Sequence, residues 1–302
     1  MNKAFHFSGL GVNLVTPFNA NGEIDFPALE RLVLKIQASP IEFIVVNGSA
    51  SEAALMSTEE CLRSLEFISE INNNEKQLIG GLPGGNTRLS VSQIASFSEQ
   101  TPCSAIICHE PLPQARTVSG YLGHFRSLAQ ASALPIIIEH NHETVRDVSS
   151  ALLQLAKDPN VCGIVDATGD VELNGKLIRN TPDNVFILTS CDGMILPLMA
   201  LGIDGAVSTI ANAFPVECSE MMGQMTFGNF QDAQKTHHAL APLCRILEIE
   251  GEAPGIKAIL NHFDWMEDLV RLPNTPVSSE TRTAIYKELA ELPHRMVKHA
   301  ML

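Results

Sequence analysis

The chain has 302 residues, of which 45% are hydrophobic and 18% are charged, and its formal net charge is −14. This length suits one α/β barrel with a helical addition. The acidic balance argues against nucleic acid or an anionic membrane surface as a partner, because both require a basic face.

The sequence predicts a cytoplasmic location. The first residues lack the apolar run and cleavage site of a signal peptide, and no stretch approaches the roughly 18 apolar residues that span a bilayer. The seven cysteines are scattered and form no C-x-x-C pair. That pattern fits a reducing compartment better than a disulfide frame or a zinc site, so we expect no bound metal.

Eight short runs rich in valine, isoleucine and leucine alternate with amphipathic helical patterns. This alternation predicts a parallel sheet that is covered on both faces. Periodicity alone does not separate a closed barrel from an open doubly wound sheet. The predicted strands cover residues 9–18, 42–48, 77–82, 104–110, 135–141, 161–168, 185–192 and 204–210.

Two further local patterns set the expected organisation. Ser57 and Glu60 form a capping box, which predicts a helix that begins next to Ser57. From about residue 216 the pattern is wholly helical, over roughly 216–250, 254–263 and 278–300. We therefore predict a barrel at 1–225 and a C-terminal helical domain at 226–302.

Several motifs resemble the dihydrodipicolinate synthase / N-acetylneuraminate lyase family. Residues 12–18 read V-N-L-V-T-P-F where the family has V-A-L-V-T-P-F, and residues 47–54 stand at its G-T-T-G-E-A-A motif. Residues 163–170 read G-I-V-D-A-T-G-D at its G-I-K-E-A-T-G-D motif, and residues 271–276 match R-L-P-x-x-P. The resemblance also covers 198–212 and therefore runs from end to end. It implies a (β/α)8 barrel, a homo-oligomer (dimer or tetramer) and no cofactor.

The same resemblance shows that the reactive side chains have changed. The family lysine that forms a Schiff base with a 2-keto acid is replaced by Val165, and a proton-shuttling tyrosine is replaced by Glu139. The strand-four segment has no tyrosine, and the lysine matched by Lys257 is not the family nucleophile. The resemblance therefore predicts a lyase-family protein that does not use Schiff-base chemistry.

We predict that the turn after strand two binds a small carboxylate or 2-keto acid through backbone N–H groups. This turn comprises Gly48, Ser49, Ala50 and Ser51. Ser49 keeps a hydroxyl at a family threonine position, whereas Ala50 loses one and Ser51 replaces a glycine.

Glu139 is the main candidate for a general acid or base, with Ser49 as a second catalytic candidate. A carboxylate at the barrel centre needs hydrogen-bond donors, and Asn13 and Ser49 are the expected partners. His140 is predicted to contact the ligand beside Glu139. A purely structural role for Glu139, filling the volume left by the lost lysine and tyrosine, stays open.

Other assignments of chemistry also stay open. An active lyase could use Glu139, His140, His142 and Glu110 without a covalent intermediate or with a metal. Cys191 could act as a nucleophile beside a histidine, although free cysteines are usually core residues. Arg146 is a loose match for the family arginine that binds the second substrate. A non-catalytic regulatory partner of an active paralogue is the remaining alternative.

Overall fold

The structure is a computed structural model that describes residues 7–82, 85–111, 114–141, 145 and 147–302. His142 and Arg146, two of the predicted site residues, lie outside these ranges. None of the described helices is both long and apolar enough to cross a bilayer.

Eight parallel strands close into a barrel in sequential order, with the last strand pairing with the first. This confirms the predicted (β/α)8 fold. Each predicted run contains one observed strand, and the observed strands are shorter because several predicted ends belong to the connecting loops. The strands are β1 (Gly9–Asn13), β2 (Phe43–Val46), β3 (Gln77–Gly81), β4 (Ala105–Cys108), β5 (Ile136–His140), β6 (Val161–Asp166), β7 (Phe186–Thr189) and β8 (Gly205–Ser208).

In the described ranges, eight α-helices accompany the strands, and four more follow toward the C-terminal end. The predicted capping box is present at the start of α2, where Ser57 accepts from the Glu60 amide and the Glu60 carboxylate accepts from the Ser57 amide. The barrel helices are α1 (Phe26–Gln37), α2 (Thr58–Asn72), α3 (Thr87–Gln100), α4 (Val118–Ala131), α5 (Val148–Leu155), α6 (Val171–Asn180), α7 (Ile195–Leu201) and α8 (Pro215–Thr226). The C-terminal helices are α9 (Phe230–Glu250), α10 (Glu252–His262), α11 (Ser279–Glu291) and α12 (His294–Met301).

Two of the predicted C-terminal helices are divided in the structure. The run at 216–250 consists of α8 and α9, and it is interrupted where Gly228 takes a φ of +79°. The run at 278–300 consists of α11 and α12, which are separated at Pro293. Proline lacks the amide hydrogen that a helix interior requires, so it is placed at a helix start.

The barrel interior is a packed apolar layer and not a channel. Gly11 and Gly163 leave room for the rings of Phe43 and Phe186, because a Cβ at either glycine would lie 2.0 Å from a ring carbon. The interior cluster contains Phe7, Phe43, Val45, Ile79, Ala105, Ile107, Ile137, Val165, Phe186, Leu188 and Val207. A filled interior confines a ligand site to the ends of the strands.

Candidate active site

A cavity of about 460 Å³ lies at the carboxyl-terminal end of the barrel. Its walls come from the segment after β2, the segments after β4 and β5, and the start of α10. The cavity is lined mainly by apolar atoms, but polar side chains also reach it from several walls. These are Ser49, Glu52, His109, Glu110, Gln114, Asn141, Glu252 and Asn274.

Glu139 and Val165 lie side by side in the barrel, as direct register partners on β5 and β6. Ile137 belongs to the interior cluster, so the two-residue period of a strand also turns Glu139 inward. Val165 is fully buried in the apolar interior, and Glu139 is 2% exposed. The position that resembles the family lysine therefore presents only an apolar side chain beside a buried carboxylate.

His109 is the principal partner of Glu139, a contact that the sequence motifs do not predict. The same two-residue period that turns Ile107 inward also turns His109 inward. His109 Nδ1 is hydrogen-bonded to Glu139 Oε2, and the two groups form an ion pair when the imidazole is protonated. Burial alone would lower the pKa of His109, but the charge and hydrogen bond of Glu139 raise it above its ordinary value. His109 lines the cavity, so the imidazole is the part of this pair that a ligand meets.

Asn13 connects this pair to the opposite wall. Its Nδ2 donates to Ser49 Oγ at 2.9 Å and to Thr209 Oγ1 at 3.4 Å. The Ser49 hydroxyl donates to Glu139 Oε1 at 3.4 Å, and the Thr209 hydroxyl donates to Glu252 Oε2 at 3.1 Å. Because an amide nitrogen only donates, Asn13 leaves both hydroxyl hydrogens free for the two carboxylates.

Glu252 is the second carboxylate in this series of hydrogen bonds, and it lies in the first turn of α10. Burial and the charge of Asp192 raise its pKa to about 7, with a smaller contribution from the charge of Glu139. Nothing in the sequence pattern distinguished this residue from other helix-start glutamates. Glu139 is thus paired with a histidine, whereas Glu252 accepts from a hydroxyl and has acidic neighbours.

The turn after β2 brings the predicted residues Gly48, Ser49, Ala50 and Ser51 together as a short 3₁₀ turn. Ser51 Oγ donates to the Gly48 carbonyl at 2.7 Å, so its hydroxyl stabilises the turn from within. Asn13 Oδ1 lies 2.3 Å from where a Cβ on Gly48 would stand, so this approach requires glycine. Within the described residues, the Ser49 and Ala50 amides have no hydrogen-bond acceptor.

Lys257 is engaged in a buried ion pair and is not available as a nucleophile. It is fully buried and its Nζ lies 2.6 Å from Glu52 Oε1. Burial lowers its pKa, although the charge of Glu52 opposes this shift. None of the lysines that the structure describes lies on a barrel strand.

His140 is placed apart from the other predicted ligand-binding residues. It follows Glu139 on β5 and therefore points to the opposite face of the strand. His140 is fully buried, its Nδ1 lies 2.7 Å from Glu110 Oε1, and its ring lies 6.3 Å from that of Tyr121 on α4. The structure thus pairs Glu110, which lines the cavity, with His140 behind the barrel wall, and His109 with Glu139 inside the barrel.

Cys191 and a metal-binding cluster are the remaining chemical candidates. Burial and the charges of nearby acidic groups raise the pKa of Cys191 to about 11, so its thiolate is disfavoured at neutral pH. The described residues contain no cluster of three histidine, cysteine or carboxylate side chains arranged to hold a metal ion.

A closed barrel with a cavity at the carboxyl ends of its strands defines the class of (β/α)8 barrel proteins, in which the loops after the strands build the ligand site. The profile of the "Dihydrodipicolinate synthetase family" matches residues 6–292. The chain therefore belongs to the dihydrodipicolinate synthetase family, a lyase family with a TIM-barrel fold.

Individual relatives agree with this assignment. The chain is 31% identical over 284 residues to 4-hydroxy-tetrahydrodipicolinate synthase from Azobacteroides pseudotrichonymphae, covering 93% of this chain and 96% of the relative. Dihydrodipicolinate synthase DapA-2 from Bacillus anthracis superposes with a TM-score of 0.89 at 27% identity, covering 96% of this chain and 100% of that structure. The chloride-inhibited enzyme from Acinetobacter baumannii, solved with pyruvate, gives a TM-score of 0.87 at 28% identity, covering 95% and 99%.

Proposed function

We infer that this lyase-family protein binds a small carboxylate or 2-keto acid at the barrel mouth and acts on it without a Schiff base. The observation that carries this inference is the pairing of Val165 with Glu139 inside the barrel. A Schiff base requires a lysine held at the reacting centre. Val165 supplies no amine there, and Lys257 is engaged by Glu52.

The carboxylate end of the ligand has a natural place beside the turn after β2. The free amides of Ser49 and Ala50 are donors that do not depend on side-chain chemistry. His109 adds a third donor from the facing wall, because its Nε2 is not used by the contact with Glu139. Donors of this kind suit a carboxylate or the oxygen of a keto group.

The pair of His109 and Glu139 supplies proton transfer. Glu139 accepts the Nδ1 hydrogen and fixes the imidazole, so Nε2 of His109 faces the cavity as the group that exchanges a proton with the ligand. General acid–base catalysis of this type contributes roughly 10²–10⁴-fold in rate. Under this proposal, His109 is the catalytic residue, Glu139 is its positioning partner, and Ser49 orients Glu139.

The remaining predictions belong to the same proposal. Residues 226–302 form a C-terminal helical domain that contributes Glu252 to the mouth, and the chain acts as a homo-oligomer in the cytoplasm. All seven cysteines are free, which suits a reducing compartment. Metal-assisted chemistry and a regulatory role beside a paralogue stay predictions from the sequence.

The absence of Schiff-base chemistry is tested by trapping. The protein is incubated with pyruvate and borohydride, and its intact mass is measured beside that of a family member with the lysine. We expect an adduct only on the lysine-bearing relative. A stable pyruvate adduct on any lysine of this chain would overturn the proposal.

The binding site is tested by titrating pyruvate into the protein and into His109→Asn. We expect this change to weaken binding by at least about tenfold, the scale of one lost hydrogen bond to a charged group. His294→Asn, on the exposed start of α12, is the matched control and should bind as the unaltered protein does. Equal affinities for both variants would remove His109 from the site.

A further inference from the structure

The cavity contains one carboxylate without a cationic partner. Glu52 and Glu110 also line it, but Glu52 is paired with Lys257 and Glu110 with His140. Across the described ranges, Glu252 has no basic side chain within ion-pair distance, and the contact it has is the Thr209 hydroxyl. A carboxylate in this position is free to receive a cation from a ligand.

The groups around Glu252 strengthen this preference because they are acidic. Asp192 faces it from the segment before α7, Glu248 from α9 and Glu139 from β5. Their negative charges disfavour ionised Glu252 in the empty cavity. A positive group placed against Glu252 would offset that repulsion, whereas a second negative group would add to it.

We propose that the cavity selects a small carboxylic acid that also carries a protonated amine, and that Glu252 binds the amine. This inference rests on the proposed function, in which the turn after β2 and His109 bind the carboxylate of the ligand. Glu252 is thus a specificity-determining residue contributed by α10, and ligands that carry only negative groups bind less well.

The hydrogen-bond chain limits the distance between the two ends of such a ligand. Ser49 Oγ, Asn13 Nδ2, Thr209 Oγ1 and Glu252 Oε2 are joined by successive contacts of 2.9, 3.4 and 3.1 Å. Ser49 and Glu252 are therefore no farther apart than the combined length of these contacts. A short aliphatic chain between the carboxylate and the amine fits within this limit.

The test compares ligands that differ only in the amine. Affinities are measured by calorimetry for 3-aminopropanoate, 4-aminobutyrate and 5-aminopentanoate against propanoate, butyrate and pentanoate, with butylamine as a ligand that lacks the carboxylate. The pH is set above the pKa of Glu252 and below that of an alkyl ammonium. The variants are Glu252→Gln, which retains an acceptor for Thr209, and Glu248→Gln, a matched control outside the cavity lining.

We expect at least one amino acid of the series to bind about tenfold or more tightly than its partner without the amine, the scale of one charge-assisted hydrogen bond. Glu252→Gln should abolish this difference without weakening butyrate binding, since it removes a negative charge from the cavity, whereas Glu248→Gln should preserve it. Equal binding of both series, or a preference that survives in folded Glu252→Gln, would overturn the inference. Loss of carboxylate binding with butylamine still bound through Glu252 would instead overturn the carboxylate end of the proposed function. No binding of any ligand would overturn both.

Discussion

Replacing Lys257 by methionine tests the buried ion pair that joins α10 to the segment after β2. Lys257 Nζ donates to Glu52 Oε1 at 2.6 Å and to the Leu269 carbonyl at 2.9 Å, and it lies 4.2 Å from the centre of the Phe18 ring. Methionine keeps much of the apolar stem but removes the charge. The carboxylate of Glu52 then stays buried, at 4% exposure, without its cation.

The expected loss in the free energy of unfolding is about 3 kcal/mol. Removing one partner of a buried pair costs about 3–5 kcal/mol. The lower end applies because Glu52 Oε2 still accepts from the Arg271 amide at 3.0 Å and from Asn274 Nδ2 at 3.1 Å. The double variant Lys257→Met with Glu52→Gln should regain most of this loss, since no unpaired charge remains.

Urea unfolding measures both variants, with stability compared through the midpoint and slope of each transition. Lys235→Met is the control, because the pair of Lys235 with Asp232 is exposed and its loss should change little. A loss below about 1 kcal/mol for the single variant would show that the pair is solvated and not buried. A double variant as unstable as the single one would refute the reasoning from unpaired charge.

Two further predictions follow from the mouth of the barrel. Gly48→Ala places a methyl group 2.3 Å from Asn13 Oδ1, so we expect a stability loss of about 1–3 kcal/mol and weaker pyruvate binding, measured by thermal melting and calorimetry. Gly193→Ala meets no atom within 4 Å and is the control; equal effects of the two changes would contradict the clash. The pKa of Glu252 is raised from 4.5 to about 7, so the folded state holds its proton more tightly and stability should fall as pH rises through this interval. Urea midpoints across this range should fall less in Glu252→Gln, and parallel curves for the two proteins would exclude Glu252 as the source.

The sequence was sufficient to predict eight alternating strand and helix units, and the family motifs then favoured a closed barrel over an open sheet. Short apolar runs alternating with amphipathic helices reflect local periodicities, and the capping box at Ser57 and Glu60 is formed by residues three positions apart. The inward position of Glu139 beside Val165 also followed from the motifs, since their places on β5 and β6 set their register. These features depend on neighbours along the chain or on strand order, and both are encoded locally.

Only the tertiary structure decided which groups share the mouth. His109 and Glu110 are adjacent in sequence, and the closure of β4 against β5 sends one to Glu139 inside the barrel and the other to His140 behind it. Glu252 belongs to a helix start far along the chain, and it reaches the site through Thr209. The physical reason is that side-chain partners across strands and domains are selected by register and packing. The periodicity of a single segment does not predict these side-chain partners.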